Sequence, residues 1–137
     1  LNCPVCNHPL IILELEQIEV DYCTNCHGIW LDEGELELLL QDSDEKINLL
    51  NSFKIDKKSN EKLIKCPACS KKMDKILCGI KEKVTLDKCP KQHGLWFNKG
   101  ELEAVVEMGS FDLPDRQAGK QNKIVKLLKE MFSYNLS

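Results

Sequence analysis

Six of the eight cysteines stand in Cys-x-x-Cys pairs, Cys3/Cys6, Cys23/Cys26 and Cys66/Cys69. A seventh, Cys89, opens a fourth turn that runs Cys89-Pro90-Lys91-Gln92-His93. Thiolate sulfur and imidazole nitrogen bind zinc tetrahedrally, and two thiols in one tight turn aim two ligand atoms at one ion. Sixteen residues separate Cys6 from Cys23, a spacing expected of a four-cysteine structural site. Cys3, Cys6, Cys23 and Cys26 therefore form the first predicted ligand set. Four sulfurs complete the tetrahedron and leave no position for water or substrate, so such a site holds structure rather than catalysing a reaction.

The second set is less regular. Cys66, Cys69 and Cys89 supply three sulfurs, but Gln92 stands where Cys26 stands in the first set, and a neutral amide is a poor zinc ligand. His93, one residue on, would complete a set of three cysteines and one histidine, and the spacing favours it. The competitor is Cys78, which otherwise reads as a small buried hydrophobe on the intervening hairpin. His27 aligns with His93 but follows a complete set, so it is expected beside the site as a hydrogen-bonding neighbour. His8 is expected to be exposed and inert. Two zinc ions per chain are predicted. Disulfides are disfavoured, because the start of the chain carries no signal-peptide pattern and Cys-x-x-Cys pairs in a cytoplasmic setting favour metal or redox chemistry. A cytoplasmic location is the matching expectation. No βαβ pattern surrounds either pair, which argues against a thioredoxin-like role.

Elements that could position these ligands occur twice. Gly28-Ile29-Trp30 and Gly94-Leu95-Trp96 lie 66 positions apart, each between a ligand turn and a helix start, and each follows an upstream Cys-Pro-x-Cys. Between the ligand pairs the chain must go out and return, as a β-hairpin does. Leu10–Tyr22 alternates accordingly, with the turn expected near Glu16-Gln17. Asp32-x-x-Glu35 and Asn98-x-x-Glu101 read as capping boxes, and capping accounts for these acids without assigning any of them to catalysis. Leu36, Leu39, Leu40, Ile47 and Leu50 form a helical stripe with a break near Asp42-Ser43-Asp44. Gly109 is expected to end the second helix as a left-handed cap. Residues 120–137 carry Ile124, Val125, Leu127, Leu128, Met131 and Phe132 on one side of an amphipathic helix.

The predicted fold is therefore small α+β. It comprises a first zinc ribbon with its helix (1–52), a linker (53–62), a second ribbon with its helix (63–109), a second linker (110–119) and the C-terminal amphipathic helix (120–137). Units of about 50 residues bury too little surface to be secure without a metal or a disulfide, so folding and zinc binding should be one event. No apolar run is long enough to span a bilayer.

The net charge of −3 conceals a division. Residues 1–52 carry eleven acidic side chains and one basic, net −10, while residues 53–137 carry eleven acidic and eighteen basic, net +7. The first half should repel nucleic acid. The second hairpin is lysine-rich, and Lys71, Lys72, Lys81 and Lys83 are its candidate phosphate contacts. With a single arginine in the chain, any such binding should be non-specific.

The residues Cys3, Pro4, Cys6, Cys23, Cys26, Gly28, Trp30, Leu31, Asp32, Gly34, Glu35 and Leu36 resemble the TFIIB-like zinc-ribbon family. Cys66, Pro67, Cys69, Cys89, Gly94, Trp96, Gly100, Glu101 and Leu102 repeat the resemblance, with departures at Gln92, Phe97 and Asn98. The resemblance implies a zinc ribbon. A role in transcription would follow only by analogy of fold. The leading expectation is a non-enzymatic interaction module, an adaptor for transcription or other machinery, that meets a protein partner or a second copy through the C-terminal helix. Weak nucleic-acid binding is the alternative. A zinc-dependent or thiol redox enzyme would need an open coordination position at the second site.

Overall fold

The computed structural model describes residues 1–79, 82–109 and 115–134, with the side chains of 119–131 in the last stretch. The first unit is a meander of β1 (Ile11–Leu15), β2 (Ile18–Tyr22) and β3 (Ile29–Asp32), followed by α1 (Glu35–Leu39) and α2 (Asp44–Asn51). A short strand, β4 (Lys54–Ile55), leads into the second meander of β5 (Asp74–Cys78), β6 (Val84–Lys88) and β7 (Gly94–Phe97). Two helices close the chain, α3 (Glu101–Met108) and α4 (Asp115–Tyr134).

The two ribbons are not beads on a linker. β3 pairs antiparallel with β7, which fuses both meanders into one seven-stranded sheet of order β1-β2-β3-β7-β6-β5-β4. The register pairs Trp30 with Trp96, so an approximate two-fold axis passes between the tryptophans of the repeat. Both faces of this central pair are buried. Ile29, Leu31 and Phe97 meet a core built with Leu36, Leu39, Leu102, Val105 and the helices around them. The opposite face carries Trp30, Trp96, Met73 and the ligand cysteines. That double burial explains the unbroken apolar runs of β3 and β7, where a sheet open on one side would alternate.

The first hairpin turns at Glu16 and Gln17, with φ of 50° and 70°. Positive φ at both central residues is the backbone of a type I′ turn, whose twist matches the strands, although neither residue is the usual asparagine or glycine. The second hairpin loop is three residues longer, and Lys81 lies outside the described residues.

Four sequence expectations are corrected. Residues 53–62 do not form a free linker, because Lys54 and Ile55 pair with Leu77 and Ile76 at the sheet edge. The C-terminal helix starts at Asp115, within the expected second linker, of which 110–114 lie outside the described residues. The helical stripe of the first unit breaks where expected, at Ser43, whose hydroxyl accepts the Lys46 amide at 3.1 Å and caps α2, but Ile47 does not belong to its buried side. Leu49 is the buried residue of that helix, and Ile47 is 55% exposed. Gly109 is right-handed, φ −71°, and a Cβ there would come 2.8 Å from Leu40, so close packing rather than a left-handed cap accounts for its glycine.

The C-terminal helix seats most of its apolar side on the chain itself, but Leu127 of the expected stripe is 39% exposed. Ile124 and Leu128 are buried in the helical core. The buried Gln121 accepts the Gln41 amide at 2.9 Å, and Lys129 pairs with Glu107 at 3.1 Å. Of the expected stripe, the Phe132 side chain lies outside the described residues. Among the described residues no helix is long and apolar enough to cross a membrane.

Candidate metal centres

Each predicted ligand set converges. The ligand atoms of Cys3, Cys6, Cys23 and Cys26 lie within 4.8 Å of one another, and so do those of Cys66, Cys69, Cys89 and His93. Cys3 Sγ is 3.5 Å from Cys26 Sγ, and Cys6 Sγ is 3.4 Å from Cys23 Sγ. Cys89 Sγ lies 3.7 Å from Cys69 Sγ and 3.4 Å from His93 Nδ1. A tetrahedron with Zn–S bonds of about 2.3 Å has edges of about 3.8 Å, slightly shorter where one ligand is nitrogen. The donor sets therefore fit one zinc ion each.

The thiols carry the same message electrostatically. Burial pushes Cys26 and Cys3 up, and pushes Cys66 up to about 11. Cys6 is drawn down to about 5 by the His8 amide, the Asn25 side chain and its cysteine neighbours. Burial opposes a similar effect at Cys89, where the His93 and Lys91 amides prevail and bring it to about 7. Four sulfurs this close cannot all ionise without a cation, and a divalent ion supplies the charge that lets them do so.

Backbone amides prepare each turn. Val5 and Cys6 donate to Cys3 Sγ at 3.4 Å, Cys26 donates to Cys23 Sγ at 3.5 Å, and Ala68 and Lys91 donate to Cys66 and Cys89 at 3.3 Å. In three turns the residue after the second cysteine is left-handed: Asn7, His27 and Ser70, with φ of 64–65°. Each sends its amide back four residues to the first cysteine's carbonyl. The fourth turn exchanges these roles. Gln92 takes the left-handed φ, 63°, and its amide returns only three residues, to Cys89 at 3.1 Å. The tighter turn brings residue 93 to the sulfurs in place of residue 92, which is why a histidine one place late still meets Cys89.

Cys78 is not in this cluster. It is fully buried in the helical core, and burial pushes its thiol up to about 12. His27 is engaged by the Tyr22 hydroxyl, 2.6 Å from Nδ1. His8 is exposed as expected but not inert, since its Nδ1 lies 3.2 Å from Cys6 Sγ. Sequence reasoning missed that contact, although a histidine two residues past a ligand cysteine was the available signal.

The tryptophans connect the centres. A Cβ at Gly28 would collide with the Trp96 ring, and a Cβ at Gly94 would come 2.8 Å from the Trp30 ring. Each ring thus covers the glycine beside the other unit's ligand turn, where only glycine permits the approach. Each indole N–H also needs a buried acceptor. Trp30 donates to Asp32 Oδ1 at 2.9 Å, and Trp96 donates to Asn98 Oδ1 at 3.0 Å. An amide oxygen accepts as well as a carboxylate, so the Asp-to-Asn departure is conservative. The capping boxes need correction accordingly. Glu35 and Glu101 do accept the amides of Asp32 and Asn98, at 2.6 and 2.7 Å, but Asp32 and Asn98 serve the indoles, and the helices begin after left-handed Gly34 and Gly100.

The candidate lysines do not form one patch. Lys71 and Lys72 are exposed beside the third ligand turn, whereas Lys83 is exposed at the far end of the hairpin. Lys75 is withdrawn from solvent altogether. It is 5% exposed and pairs with Asp87, 1% exposed, at 2.5 Å, with Glu61 at 3.3 Å.

Two β-hairpin-plus-helix units, each closed on four zinc ligands, define a tandem zinc ribbon. Residues 2–42 and 65–108 both match the family described as transcription factor zinc-finger, of the TFIIB type. The match spans more than half of the chain, and the protein belongs to that family. No curated protein and no solved structure matched the chain.

Proposed function

We propose that this protein is a non-enzymatic interaction module, an adaptor within transcription or another macromolecular machine in a reducing, cytoplasmic setting. The observation that carries this reading is the closure of both ligand sets: four donors within 4.8 Å at each centre leave zinc no coordination position for a substrate. The metal then serves to hold together one sheet that displays an acidic and a basic unit. The family's description supports the transcriptional part. The test is binding of the zinc-loaded chain to purified RNA polymerase from its source, beside turnover assays on phosphodiester and peptide substrates. Polymerase binding abolished by chelation supports the adaptor role, and its absence removes the transcriptional part. Turnover would overturn the non-enzymatic reading.

A second reading rests on Lys65, Lys71, Lys72 and Lys91, all exposed on the ligand turns of the second centre. Such a cluster would track phosphates without reading bases. It predicts nucleic-acid affinity that falls steeply with salt and is lost when Lys65, Lys71, Lys72 and Lys91 are changed to glutamate, whereas changing Lys83 at the far end of the hairpin should matter little.

A further inference from the structure

The fourth ligand of the second centre is also its most exposed one. His93 faces solvent, while the three cysteines around it are buried or half-buried. Packing alone does not hold an exposed ring against Cys89, so its position has to come from the main chain that carries it.

That main chain is held from the other unit. The ladder between β3 and β7 pairs Ile29 with Phe97 at one end and Asp32 with Gly94 at the other. Past Asp32 the same register continues, and the Glu33 amide donates to the His93 carbonyl at 3.0 Å. The two-fold image of the Asp32–Gly94 rung would join Asn98 to Gly28, and the ladder stops one residue short of it. β3 therefore runs further along the ligand turn of the second centre than β7 runs along that of the first.

The glycines record the same difference. A Cβ at Gly94 would meet the Leu31 carbonyl oxygen of β3, whereas the nearest neighbours of a Cβ at Gly28 are all atoms of the Trp96 ring. Backbone lies directly on backbone at the second centre.

Local geometry leaves the Glu33 amide available for this bond. Gly34, with φ 90° and ψ −14°, fits the third position of a type II turn whose second residue is Glu33. A β-turn closes through the N–H of its fourth residue and makes no use of its second. The Glu33 side chain is exposed.

We propose that the main-chain N–H of Glu33 is the positioning group of the second centre. It fixes the His93 carbonyl, and through it the imidazole, so that the first unit decides whether histidine closes the second ligand set. A shift of the Glu33–Gly34 turn would then release His93 and leave three sulfurs at an open position, while the first centre keeps its four. This inference rests on the four-donor reading of the second centre and not on the adaptor role.

Glu33→Pro tests it. Proline removes the N–H, suits the second position of a type II turn, and follows Asp32, which already lies in a strand as a residue before proline should. Glu33→Ala keeps the N–H and is the control. Cadmium NMR of the full chain, with both centres loaded, reads the two ligand sets separately, because exchanging a nitrogen donor moves the resonance. Glu33→Pro should move the second-centre resonance toward that of His93→Ala, make it respond to added imidazole, and lower zinc affinity there about tenfold. The first-centre resonance should stay in place, and Glu33→Ala should match the parent. By reciprocity, His93→Ala should speed hydrogen exchange at the Glu33 amide and leave the amides of β3 unchanged.

Parent-like resonance and affinity in Glu33→Pro, or an unchanged Glu33 exchange rate in His93→Ala, overturns the proposal. If Glu33→Pro loses both metals, the exchange measurement decides alone. If His93→Ala itself keeps the parent resonance, the histidine is not a ligand, and the closed reading of the second centre falls with the proposal.

Discussion

Trp30 stands directly opposite Trp96 across β3 and β7, and each ring closes over the glycine beside the other unit's ligand turn. Neither zinc ribbon is therefore complete without its neighbour. Gly28→Ala should push on Trp96, in the other half of the chain, and cost about 1–3 kcal/mol as overpacking does. Gly94→Ala should be at least as costly, because its Cβ would meet the Leu31 carbonyl in the paired strand before it reaches the Trp30 ring. Denaturant unfolding of the zinc-loaded variants measures the cost. In a Gly28→Ala/Trp96→Phe cycle the two effects should fall short of additivity, because the residues touch.

His93→Ala should reduce zinc affinity at the second centre by at least about 100-fold, given that loss of an outer hydrogen-bonding partner alone costs 10–100-fold. His93→Cys should retain the metal, as should Cys78→Ser, whose residue lies in the helical core. Native mass spectrometry against a competing chelator reads all three. Full retention of zinc by His93→Ala would show that the histidine is not a ligand.

Lys75 and Asp87 form a buried ion pair at 2.5 Å. Burial alone would lower the Lys75 pKa, and the Asp87 and Glu61 carboxylates outweigh it and hold it above the ordinary value. Lys75→Met strands a buried carboxylate and should cost about 3–5 kcal/mol, whereas the double variant with Asp87→Leu should recover most of the loss. Unfolding curves of the single and double variants decide it.

Burial, reinforced by the negative charge of Asp87 and Glu61, lifts the Glu101 carboxyl from 4.5 to about 7, although the Asn98 amide opposes the shift. Between these values the folded chain holds a proton that the unfolded chain has released, so stability falls as pH rises through that window. Glu101→Gln keeps an acceptor for the Asn98 amide and removes the titration. It should match the parent near pH 4 and exceed it at pH 8 by about 1 kcal/mol, after allowance for screening at a side chain that still reaches water. Thermal melts of both proteins across that range measure the difference.

Zinc removal should unfold both units together, since the cysteines of both centres and both tryptophans pack into a single cluster. Chelator titration followed by tryptophan fluorescence should give one transition. Two separated transitions would show that the ribbons fold independently.

Local signals carried much of this structure. Ligand turns are written in the spacing of a few residues, so the convergence of Cys66, Cys69, Cys89 and His93 was readable before any fold was known. The Glu16-Gln17 turn followed in the same way from alternation on either side of it. What escaped were the contacts that depend on strand register and on how the two units join. The pairing of β3 with β7 depends on two identical patterns finding each other, and a repeat read as two modules does not say that they share a sheet. Lys75 looked like one more solvated lysine because its partner, Asp87, is fixed by hairpin register, which no Asn-Gly turn announced. The capping acids were found at the right positions, but Asp32 and Asn98 accept from the indoles, a demand that exists only once the tryptophans are buried.

Across the shared sheet the paired residues Ile12, Asp21, Trp30, Trp96, Asp87 and Lys75 form one row that reads almost the same from either end. That is the geometry of an interface between identical protomers, in which one surface meets its own copy. A duplicated gene that fused two such protomers would free the halves from having to remain identical. Divergence could then proceed wherever it spared the central rungs, and in this row it has done so at the outermost pair: isoleucine at one end and lysine at the other.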